Sequence, residues 1–215
     1  MPRCISKGFF TFLYTIGATM TISRIVNEVF NSCSYIVEQE KRFWLIDCGD
    51  TQQLLPFIDG NLCGIFITHA HFDHIYGLNR LISVFPDVPV FTNDAGREGL
   101  LSDKINLSRY HESPFVFEKP ENIRLVEDGE MVRLFDDVKV QAVFTPGHSP
   151  CCITWVMHEA VFSGDSFIPG VKTVTNLPHA DKALAAKSEA HIRDLIQQRE
   201  VYPGHSAAND EQVFN

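Results

Sequence analysis

Thr68-His69-Ala70-His71-Phe72-Asp73-His74 places three imidazoles and one carboxylate in a single tight loop. It follows Gly64-Ile65-Phe66-Ile67-Thr68, a compact apolar run that reads as a buried strand. His69 and His71 are two residues apart, so in an extended segment both point to the same side. Asp73 and His74 fall where the chain turns into the next helix and can aim at a neighbouring point. Imidazole and carboxylate are donors that zinc accepts readily, and two pairs of donors suit two adjacent metals. A lone histidine at a strand end usually meets solvent. Four ligand-type side chains in one loop point instead to a metal site.

Three places further along repeat this chemistry. Thr145-Pro146-Gly147-His148, Ser163-Gly164-Asp165 and Tyr202-Pro203-Gly204-His205 each close an expected strand. Each sets a glycine directly before a donor, where the backbone must bend sharply. Donors at strand ends face a cleft while a rigid scaffold holds them.

Around these motifs the pattern predicts strands over residues 22–30, 34–38 and 43–46, and a helix capped by Thr51 running to about Ile58. Ile75, Leu78, Leu81, Ile82 and Phe85 have helical spacing and predict one helix from His74 to Phe85. Val90-Phe91 reads as a short strand, and Asn93 or Asp94 as the cap of another helix. Strands follow at 123–126, 131–134, 138–144, 153–157 and 160–162, then a helix over 180–198 and a last strand at 200–202. Residues 101–119 show no legible pattern. Strands with helices after each half imply an α/β layered domain.

The chain has 215 residues, 45% of them hydrophobic, enough for one domain with a sizeable core. With 18 Lys and Arg against 27 Asp and Glu, the net charge is −9, which argues against a nucleic-acid partner. Six cysteines form no C-x-x-C pair and read as buried small hydrophobes in a reducing, cytoplasmic setting. Residues 1–19 carry Arg3 and Lys7 before an apolar run too short to span a bilayer. They are read as an N-terminal extension, with an export signal as the alternative, and 20–215 as the catalytic domain. No other stretch resembles a membrane span.

His69-Ala70-His71-Phe72-Asp73-His74, His148, Asp165 and His205, in this order, resemble the metallo-β-lactamase superfamily. The resemblance covers nearly the whole chain from about Met20. It implies an αββα sandwich with a dinuclear site at one edge. By that pattern His69, His71 and His148 bind one metal, Asp73, His74 and His205 bind the other, and Asp165 bridges. Asp47, in Leu45-Ile46-Asp47-Cys48-Gly49, matches the aspartate that orients a ligand histidine. An aspartate at 165 is similar to the glyoxalase II and lactonase branches rather than to true β-lactamases. The chain lacks the helical C-terminal domain and glutathione-holding basic residues of glyoxalase II.

The expected activity is hydrolysis of a small-molecule ester, thioester or lactone by a hydroxide shared between two zinc ions, with iron or manganese as alternative metals. Asp73 both binds metal and steers protons. The rivals are a single-iron persulfide dioxygenase-like oxidoreductase, weak β-lactamase activity, and a non-catalytic binding protein. Of the other histidines, His158 and His191 read as surface residues, His111 has no assigned place, and His179 can reach the cleft.

Overall fold

The computed structural model describes residues 20–206. The expected extension, residues 1–19, lies outside the described residues.

One sheet has six strands in sequential order: β1 (Thr21–Val26), β2 (Cys33–Gln39), β3 (Arg42–Ile46), β4 (Asn61–Phe66), β5 (Val90–Thr92) and β6 (Ile123–Leu125). The second has five, β7 (Met131–Arg133), β8 (Lys139–Phe144), β9 (Ile153–Val156), β10 (Ala160–Gly164) and β11 (Glu200–Pro203). In both, antiparallel pairs and parallel pairs coexist; β3, β4, β5 and β6 run parallel, as do β10 and β11.

Alternation along the strands makes the layers. Trp44, Ile46 and Phe66 join Ala142, Trp155 and Phe162 in a core between the sheets. Their neighbours Phe43, Leu45 and Ile65 face the other way, onto Leu54 of α1 (Thr51–Leu54) and onto Leu78 and Leu81 of a later helix. Val143, Val156 and Val161 face outward onto Ile192 of the long C-terminal helix. Helix, sheet, sheet and helix therefore stack as expected. The indole of Trp44 lies 5.0 Å from the Phe66 ring, and Phe66 lies 4.6 Å from Trp155. Truncating an aromatic so placed costs about 3–5 kcal/mol.

Local boundaries depart from the sequence pattern where tertiary bonds intervene. β1 stops at Val26, because residues 27–32 turn through Phe30 and Asn31, both with φ of 55°. Asp50, not Thr51, caps α1 through its carboxylate. The helix expected over residues 74–85 is two, α2 (Phe72–Ile75) and α3 (Leu78–Val84). The break has a cause in hydrogen bonding. The Asp73 carbonyl accepts from Ser32 Oγ at 2.7 Å, His74 carbonyl from Cys48 N–H at 2.8 Å, and Gly77 N–H goes to Cys48 carbonyl. These groups are lost to the helical ladder but lock Asp73 and His74 in place. Asn93 caps α4 (Asp94–Leu100), and Asp181 caps α5 (Lys182–Leu195), so that last helix begins at Lys182 rather than Ala180.

Candidate metal centre

Strand ends from both sheets meet at one edge of the sandwich. Asp47 follows β3, the 68–74 loop follows β4, His148 follows β8, Asp165 follows β10 and His205 follows β11. Bonds between the sheets fix this edge. Ile153 N–H donates to Thr68 carbonyl at 2.7 Å, Trp155 Nε1–H to Ile67 carbonyl at 3.1 Å, and Cys33 N–H to Gly204 carbonyl at 2.7 Å. Gly204 also makes room for the site: a side chain there would collide with Asp165 Oδ1.

All seven expected ligand residues come together. His69, His71 and His148 offer nitrogens within 4.8 Å of one another, as do the donors of Asp73, His74 and His205. His69 and His74 form a third such group with Asp165. The Asp165 carboxylate lies between the two trios, 3.4 Å from His148 Nε2, 3.2 Å from His205 Nε2, 3.5 Å from His74 Nε2 and 4.0 Å from His69 Nε2.

The far nitrogens explain why the near ones are available. His74 Nδ1 faces Asp47 Oδ2 at 2.9 Å, His148 Nδ1 faces Val174 carbonyl at 2.9 Å, and His205 Nδ1 faces Phe30 carbonyl at 3.0 Å. Each of these oxygens can only accept, so each Nδ1 carries the hydrogen and Nε2 is turned to the centre. Thr68 Oγ1 donates to Asp47 Oδ2 and lies 3.2 Å from His69 Nδ1, which gives His69 the same orientation. His71 is the exception: its Nδ1 faces inward, 2.9 Å from His148 Nε2.

Electrostatics divides the site. Burial pushes His69 well below the ordinary imidazole range and His71 down to about 4, helped by neighbouring histidines. Burial also acts against charge on His74 and His205. It is outweighed by Asp73 and Asp165, which raise His74 to about 9 and His205 to about 11. Burial likewise opposes ionisation of Asp165 and Asp73, yet the adjacent histidines hold Asp165 well below the usual carboxylate range and Asp73 below its own.

Two buried atoms at the centre, His69 Nε2 and Asp165 Oδ1, have no hydrogen-bond partner. Leaving such atoms unsatisfied costs about 1–3 kcal/mol each. A lone pair and a carboxylate oxygen, neither hydrogen-bonded and both borne by residues of one donor group, fit a divalent cation.

Beside His71 a cavity of about 120 Å³ is bounded by Ile105, Ser149, Cys151, Glu98 and His179. His179 therefore lines this cavity, on a backbone with φ of 66°. His111 packs at 4.3 Å from the Phe72 ring, outside the donor cluster, and His158 and His191 are exposed. Asp47 stands where expected, holding His74 and Thr68 N–H. The carbonyls of Phe30 and Val174 were not legible as site groups, since a backbone acceptor has no sequence signature. Neither was Glu98, an ordinary exposed helix residue by pattern.

A buried convergence of imidazoles and carboxylates at one edge of an αββα sandwich defines the metallo-hydrolase class. The chain belongs to the metallo-beta-lactamase superfamily, whose family model matches residues 27–205. It is 28% identical over 220 residues to a probable metallo-hydrolase of Streptococcus pyogenes, a match covering 95% of this chain and 93% of that one. It is 29% identical over 171 residues to the hydroxyacylglutathione hydrolase of Hydrogenovibrio crunogenus, covering 77% of this chain and 54% of that protein. The chain thus spans about half the length of that relative. Among solved structures, the B3 metallo-beta-lactamase BLEG-1 superposes with a TM-score of 0.79 at 25% identity, over 87% of this chain and 92% of that one. A protein solved in a di-iron-bound form gives a TM-score of 0.72 at 27% identity, over 86% and 92%. Among the described residues, no helix is long and apolar enough to cross a membrane.

Proposed function

We propose that the chain is a dinuclear, zinc-dependent hydrolase of a small-molecule ester, thioester or lactone. The observation that carries this reading is the pair of unsatisfied atoms, His69 Nε2 and Asp165 Oδ1, inside a cluster of seven donors. His69, His71 and His148 would hold one ion, and Asp73, His74 and His205 the other, with Asp165 between them. When bound, such ions supply Lewis acidity and water acidified to near neutrality. The protein supplies the rest. Asp47, Val174 carbonyl and Phe30 carbonyl keep Nδ1–H of His74, His148 and His205 paired, so that each Nε2 is presented without rotation. Asp73 Oδ2 lies 3.4 and 3.3 Å from His74 and His205 Nε2, and these neighbours keep its carboxylate ionised and turned to the centre.

The hydroxyacylglutathione hydrolase relative supports a thioester among the candidate substrates. The di-iron neighbour makes iron the alternative metal, and the BLEG-1 likeness keeps a weak β-lactam activity in view. Cys48, Cys151 and Cys152 are buried, and no disulfide joins the described cysteines, which supports a reducing, cytoplasmic setting.

Metal analysis of purified protein, followed by thioesters, lactones, phosphodiesters and β-lactams on the same sample, tests the proposal. Two zinc ions per chain with turnover of a thioester or lactone are expected. One tightly held iron with oxygen uptake on a persulfide would overturn it.

A further inference from the structure

The cavity beside His71 carries few charges. Its titratable lining side chains are His71, His179, the Cys151 thiol and Glu98, and no lysine or arginine lines it. Burial pushes the Cys151 thiol up, so it contributes no charge near neutrality. Glu98 projects from α4, is exposed, and makes no ion pair among the described residues. The adjacent cation, Arg97, is engaged elsewhere, 2.9 Å from Asp94. The remaining wall is apolar or small, with Ile105, Pro150 and Pro178. The space, about 120 Å³, has room for a short group.

We propose that Glu98 is a specificity-determining residue: it makes this cavity accept a short, uncharged or cationic acyl group and turn away an anionic one. The proposal rests on the ester-type hydrolase reading above and adds the charge class of the acyl part. The physics is direct. An unpaired carboxylate on a small, largely apolar wall repels a second carboxylate brought into the same space and attracts an ammonium. No basic side chain on the wall offsets it. Charge that bound metals add favours the anionic acyl group over the cationic one, but it is common to wild type and a Glu98 variant and cancels when the two are compared on the same series.

The test uses the metal-loaded full chain and three thioesters of one thiol: butanoyl, its cationic isostere β-alanyl, and malonyl. At pH 8, above the ordinary titration range of histidine, kcat/KM should rank β-alanyl at or above butanoyl, with malonyl lowest. Glu98→Gln should flatten the ranking. Glu98→Lys should shift the β-alanyl to malonyl ratio by about tenfold or more toward malonyl, since both the lost attraction and the new one count. Calorimetric binding of cysteamine, 1-propanethiol and 3-mercaptopropionate gives a readout independent of turnover and should show the same order and the same reversal. If wild type takes malonyl as readily as butanoyl, or Glu98→Lys scales all three alike, the proposal is wrong. If no thioester is cleaved, the hydrolase reading fails, and the thiol series alone decides whether Glu98 selects by charge.

Discussion

The two halves of the metal centre are built from similar donors but are poised differently. His69, His71 and His148 are enclosed, and burial keeps His69 and His71 uncharged. Asp73, His74 and His205 form an ion cluster, with His205 at the rim, its side chain 21% exposed and held by one backbone carbonyl. Burial alone therefore does not set a ligand's readiness. A carboxylate 3.3 Å from an imidazole reverses what burial does. His69 and His71 are ready for a cation, whereas His74 and His205 must release protons to accept one.

The largest expected effect follows from that contrast. Between pH 6 and 8, below the raised values of His74 and His205, loading the second trio displaces up to two protons. Its apparent affinity should then rise by as much as about 100-fold per pH unit. His69 and His71, already neutral, contribute no such slope to the first trio. Metal titrations at several pH values, with calorimetry in buffers of different ionisation heat, measure both. Equal slopes at the two sites would break the comparison.

Asp165→Asn should come next. Two divalent ions repel, and the carboxylate between the trios lowers that repulsion. At least one metal should be lost or weakly held, and hydrolysis should fall by well over tenfold, more than about 1.4 kcal/mol of transition-state stabilisation. Far-UV circular dichroism should be unchanged. Two metals with full activity in this variant would remove Asp165 from the bridging position.

Asp47→Asn probes the second trio alone. Its amide oxygen can still accept His74 Nδ1–H, but one of the two contacts with Thr68 is lost. The second metal should weaken by about tenfold, the low end for such an orienting group, with the first metal unaffected. A loss confined to the first trio would show that the path through Thr68 to His69 matters more.

The smallest effect is expected from a chain beginning at Met20. All seven donors lie after it, so metal content and melting temperature should match the full chain. Loss of metal or solubility would make residues 1–19 part of the folded domain.

The helix expected over residues 74–85 shows where local reading ends. Its apolar spacing was right, and Leu78, Leu81 and Ile82 are buried as that spacing requires. The break before it came from Ser32 and Cys48, which are distant in sequence and take up the backbone groups of residues 73–77. No local pattern encodes such partners.

The layered α/β class and the strand cores are legible in the sequence, and so are the seven side chains that the fold brings together. These rest on side-chain periodicity and on residue types clustered at strand ends, both of which are local. Which imidazole nitrogen faces inward, which imidazoles the carboxylates favour in the charged form, and what lines the cavity are set by packing instead. Those depend on acceptors such as Phe30 and Val174 carbonyls, and on Glu98, brought close only when the two sheets pack. Burial and charge are properties of that packed arrangement rather than of any residue in isolation.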